Sequence, residues 1–82
     1  MDTFKELLKA VLKVSDNTTI YGKAKYNLMD RAIMRVVNHA TDTNFTDAEK
    51  DEAVAYLTLI QSELGSQSYK LKNVGTRIQL DL

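Results

Sequence analysis

The segment NLMDRAIMRVVNHA, residues 27–40, decides the fold. Leu28, Met29, Ala32, Ile33, Val36, Val37 and Ala40 recur at the three-and-four spacing that lines one face of a helix. This is the strongest periodic signal in the chain, and it predicts a helix over about residues 20–40. Thr18 or Thr19, at the end of the turn-forming run SDNTT at residues 15–19, supplies a candidate cap for its start. Gly22 is a poor helix residue, so it predicts either an irregular first turn or a close approach by another backbone.

The stretch on the carboxyl side, DTNFTDAEKDEA at residues 42–53, raises the question of a metal site. Asp42, Asn44 and Thr46 match the first three ligand positions of a calcium loop. That loop also needs glycine at position six and a two-oxygen carboxylate at position twelve. Asp47 and Ala53 stand there instead, so calcium is rejected. A local reading accounts for the acids. Thr46 and Glu49 form the T-x-x-E pattern in which side chain and backbone cap each other. Asp47, Glu49, Asp51 and Glu52 fall near the positive end of the helix dipole. A helix over residues 47–64 follows, with Ala53, Val54, Leu57, Ile60 and Leu64 as its buried stripe and Gly65 as its stop.

On the amino side, Thr3 and Glu6 repeat the T-x-x-E pattern. Phe4, Leu7, Leu8, Val11 and Leu12 give a helix over about residues 3–14, with Lys5, Lys9 and Lys13 on its wet side. Beyond Gly65 the pattern shifts. Tyr69 and Leu71 alternate with lysines, Ile78 to Leu82 alternate apolar with polar, and Asn73-Val74-Gly75 suits a hairpin loop. The prediction is one mainly α domain spanning residues 1–82, three helices followed over residues 66–82 by a β-hairpin or extended tail. Its core is expected to use Phe4, Leu7, Leu8, Val11, Leu28, Met29, Ile33, Val36, Val37, Val54, Leu57, Ile60 and Leu64.

Composition narrows function by exclusion. A chain of 82 residues is expected to have a net stability of about 3–5 kcal/mol. It has no cysteine, so disulfides and thiolate metal sites are impossible. The charged amino terminus lacks the apolar run of a signal peptide, and no stretch approaches a membrane span. A protein in the cytoplasm is therefore expected. Asn17-Thr18-Thr19 and Asn44-Phe45-Thr46 match the glycosylation sequon by chance.

Eleven basic and eleven acidic residues cancel overall, but residues 42–64 carry a net −5 while the remaining segments are mildly basic. A nucleic-acid binder normally shows a basic excess. The connection over residues 41–46 is longer than a helix-turn-helix turn, and the helix after it is acidic. Lys23, Lys25, Arg31 and Arg35 leave a phosphate-touching role for the second helix as an alternative.

No catalytic set is expected. His39 is the only histidine; with Asp42 nearby it reads as a helix-end group favoured by the dipole. It lacks the company that a metal or proton-transfer histidine needs. No phosphate-binding glycine loop or nucleophile elbow occurs. Adjacent carboxylates such as Asp51 and Glu52 diverge on a helix and cannot flank one bond. No cofactor and no metal are expected, and the chain does not read as an enzyme.

What remains is a surface that binds protein. With Val36 at the centre of the buried stripe, Met34 lies on the far side near Arg31. Leu59 leaves the stripe of Leu57 and Ile60, and Tyr56 lies at its margin. Arg31, Met34, Asp51, Glu52, Tyr56 and Leu59 are the candidate partner-binding residues. The acidic third helix favours a basic or amphipathic segment laid across it, and a homodimer is the other option.

The run MDTFKELLKAVLKVSDNTTIYGKAKYNLMDRAIMRVVNHATDTNFTDAEKDEAVAYL, with a length of 82 residues and no cysteine or proline, resembles the lysis-inhibition accessory protein of T-even-type tailed phages. The likeness extends over nearly the full length and rests on no short motif, so no site residues transfer with it. It implies a cytoplasmic antiholin of the infected cell. Such a protein binds the cytosolic amino-terminal segment of a holin, delays pore assembly, and meets the membrane only through that partner. The alternatives are a phage inhibitor of a host enzyme or a small nucleic-acid-associated regulator.

Overall fold

The computed structural model describes residues 1–65 and 69–80. It contains four helices in chain order: α1 (Asp2–Asp16), α2 (Gly22–Asp42), α3 (Asp47–Leu64) and α4 (Tyr69–Leu80). The mainly α reading holds, and each of the three expected helices is present within about two residues of its expected ends. The β-hairpin or extended tail does not form. The chain from Tyr69 to Leu80 is a helix, and no strand occurs among the described residues. Residues 66–68 and 81–82 of the expected hairpin lie outside the described residues.

The physical reason for this correction lies in three side chains. Leu71, Val74 and Ile78 stand at i, i+3 and i+7, and all three are buried. A hairpin would turn its alternate residues to opposite faces and could not bury this set together. Asn73-Val74-Gly75 is therefore a helical segment, and Gly75 keeps a negative φ. Its missing Cβ has a packing role: one placed there would stand 3.1 Å from Leu57 Cδ2.

The helices close on one another in a ring, with α1 against α2 and α3, and α4 against α3 and α2. Among the described residues, the backbones of α2 and α3 do not come within 8 Å of each other between Cα atoms, and neither do those of α1 and α4. One hydrophobic cluster draws on all four helices: Phe4, Leu8 and Val11; Met29, Ala32, Ile33 and Val36; Ala53, Leu57, Ile60 and Leu64; Leu71, Val74 and Ile78. Leu7, Val37 and Val54, expected in the core, are half-buried at its margin. Leu28 is 37% exposed, against expectation. It lies one residue, about 100° around the helix, from Met29, and the stripe that turns inward is Met29, Ala32, Ile33 and Val36.

The helix ends show which local signals were used. Thr46 caps α3 in both directions: Glu49 N–H donates to Thr46 Oγ1 at 3.2 Å, and Thr46 N–H donates to Glu49 Oε1 at 3.0 Å. The matching pattern at Thr3 and Glu6 is not used, because α1 begins one residue earlier and Met1 is its cap residue. Thr18 and Thr19 do not cap α2. Thr19 donates from both its backbone N–H and its hydroxyl to Asn17 Oδ1, which ties the turn to itself, and Tyr21 is the cap residue. Gly22 opens α2 with φ +64° and open space around it, so its role is conformational and not a close approach. Gly65 also has positive φ, and its N–H donates to Gln61 O as the stop of α3.

Candidate partner-binding surface

The start of α1 is fastened to the first turns of α3 by one side chain. Lys5 Nζ lies 2.9 Å from Glu52 Oε1 and 5.6 Å from the centroid of the Tyr56 ring. The hydrogen bond from Lys5 to Glu52, followed by the attraction between their charges, raises the Lys5 pKa above its ordinary value. Beneath it, Phe4 meets Phe45 of the α2–α3 connection edge to face at 5.7 Å and meets the His39 ring at 6.2 Å. Phe45 and His39 complete the cluster at 6.3 Å. His39 is in the last turn of α2, as expected, but its neighbours are two phenyl rings and the Thr43 hydroxyl, which is 3.5 Å away, rather than Asp42. Its contacts pack the junction of α1, α2 and the following loop.

Of the acids of the 42–53 stretch, Asp42 ends α2 and the other four are distributed along the start of α3. Glu49 is held in the capping box, where the Thr46 backbone N–H and then its hydroxyl lower the carboxyl pKa below the ordinary value. Glu52 is held by Lys5, and Asp51 is exposed. Among the described residues, no group of three or more histidine, aspartate or glutamate side chains converges tightly enough to hold a metal ion. Among the same residues, no helix is long and apolar enough to cross a membrane.

Five of the six candidate residues fall on two separate surfaces. Arg31 and Met34 share one exposed face of α2, where Met34 is 52% exposed. Glu52, Tyr56 and Leu59 share another face on α3, at i, i+4 and i+7, ending at Leu59 with 63% exposure. Asp51 turns away from that row. The two sets stand on helices whose backbones make no close approach to each other.

Sequence reasoning missed a third group. Tyr21 is 80% exposed and Tyr26 57% exposed, and with Leu28 they lie near the start of α2. The signal was available. Once the inward stripe is counted from Met29, the residues before it include exposed apolar side chains.

Comparison with protein-family models, with curated proteins and with solved structures returns no match to this chain.

Proposed function

We propose that this protein is a non-enzymatic regulator. It binds the cytoplasmic amino-terminal segment of a phage holin and delays pore assembly by occupying that segment. The observation that carries the reading is the exposure of Tyr21, Tyr26, Leu28, Met34 and Leu59 on a domain that has closed its core elsewhere. Single exposed apolar residues are ordinary. Five on so small a domain, three of them at or just inside the start of one helix, are a supply of contact surface for another polypeptide. The holin as partner, and the cytoplasm of the infected cell as location, rest on the sequence resemblance. Inhibition by occupancy needs no reacting group, only an affinity sufficient to compete with the holin's own assembly.

Isothermal calorimetry of the purified chain against a peptide copying the holin's cytosolic segment tests this. Saturable heat with a dissociation constant of about 10 µM or tighter is expected, equivalent to roughly −7 kcal/mol or more favourable. The absence of both heat and co-elution at that concentration would remove the holin from the proposal.

A further inference from the structure

The closed end of the α1–α2 hairpin differs from the rest of the domain. No residue between Val11 and Met29 is buried. That end therefore contributes no fully buried side chain to the core, although Leu12, Val14 and Ile20 are half-buried there. Ala24, Leu28, Arg31 and Arg35 are all exposed and fall along one strip of α2, and the exposed Tyr21 is the extended cap residue just before it. Within the helix the strip runs about 17 Å, the length of three turns. From Lys13 to Arg35 the chain holds five cations against Asp16 and Asp30; Lys13, Lys23, Arg31 and Arg35 are exposed, whereas Lys25 is half-buried and donates to Asn17 O at 3.2 Å. Tyrosine and arginine are the side chains that most often dominate protein interfaces. This strip offers both around a leucine.

We infer that the strip from Tyr21 to Arg35 is the docking surface, and that its occupant is an acidic amphipathic helix of the partner. The inference rests on the proposed function and names the chemistry of the segment that is bound. Charge complementarity selects the occupant. A helix with an apolar stripe covers Tyr21, Ala24 and Leu28, and carboxylates along its edges meet Lys23, Arg31 and Arg35. The acidic face of α3 is the weaker competitor because two of its five acids already serve the fold: Glu49 closes the cap and Glu52 holds Lys5.

The test uses the full chain, ¹⁵N-labelled, and two synthetic amphipathic peptides of about 20 residues. Both carry the same leucine stripe; one has glutamate on its polar face and the other has lysine. The glutamate peptide is expected to shift the amide signals of residues 20–35. Its affinity should fall about ten-fold or more between roughly 50 and 500 mM salt, and again in the Lys23→Glu/Arg31→Glu variant. Tyr21→Ser should weaken it at constant salt dependence, with circular dichroism confirming that each variant is folded. Equal binding of both peptides, shifts centred on α3, or no binding would overturn the inference. Capture of the chain by anionic vesicles, with no response to the glutamate peptide, would assign the strip to a lipid surface and also overturn it. If the holin segment binds by calorimetry yet leaves residues 20–35 unshifted, this inference fails while the proposed function stands. If the glutamate peptide binds the strip and the holin segment does not bind at all, the proposed partner fails instead.

Discussion

Gly75 of α4 faces Leu57 of α3 so closely that a single added carbon would stand 3.1 Å from Leu57 Cδ2. The contact atom is the end of a flexible side chain, and the glycine has no positive φ. Alanine gains about 1 kcal/mol of helix propensity and spends it on moving Leu57 by a few tenths of an ångström. Gly75→Ala is expected to fall within about 1 kcal/mol of the parent in urea unfolding, whereas Gly75→Leu should lose about 1–3 kcal/mol through overpacking. A left-handed hairpin glycine would reverse the first result, with alanine costing about 1–2 kcal/mol.

Gly22 should behave in the opposite way. It has open space around it but a φ of +64°. Gly22→Ala is expected to destabilise by about 1–2 kcal/mol, although the new methyl touches nothing. Measuring the two alanine variants in one urea series separates conformational strain from steric packing.

Leu71 is fully buried and ties α4 to the common core. Leu71→Ala is expected to cost about 2–5 kcal/mol, a large share of the stability of so small a domain. Hydrogen exchange of the α4 amides should speed up along with that of α3. Loss of protection in α4 alone, with global stability unchanged, would show that this helix is an accessory and not part of the core.

The α3 cap gives a pH signature. The folded-state pKa of Glu49 is lowered from 4.5 by the Thr46 backbone N–H and hydroxyl. Its contribution is therefore fully present above the ordinary carboxylate value and is lost as pH falls through the lower folded value. Glu49→Gln should flatten that part of the acid unfolding curve. Thr46→Ala should cost about 1 kcal/mol at neutral pH and flatten the same part of the curve.

The sequence made the first three helices legible because each carries a periodic apolar stripe, and in α3 the stripe is joined to boundary signals that the structure uses. The capping box at Thr46 and Glu49 with the stop at Gly65 placed both ends of α3. α4 was hidden by two conflicting cues. Asn73-Val74-Gly75 looks like a turn, and short alternating runs lie on either side of it. What decides between them is tertiary: Leu57 needs a neighbour without a side chain, and the core needs Leu71, Val74 and Ile78 on one face. Thr18 and Thr19 misled for a different reason, because Asn17 captures Thr19 within the turn. The candidate surface was legible one residue at a time. Whether Met34 and Leu59 belong to one patch depends on which helices are neighbours, and periodicity within a helix carries no information about that.

Release of a fluorescent dye from vesicles in which the purified holin assembles its pore tests obstruction most directly. With the chain added in modest excess on the side bearing the holin's amino-terminal segment, the onset of release is expected to be delayed in proportion to its concentration. The Tyr21→Ser/Arg31→Glu variant, folded but altered on the α2 strip, should give a much shorter delay. An onset unchanged at saturating concentrations of the chain would contradict the proposal that it restrains the pore.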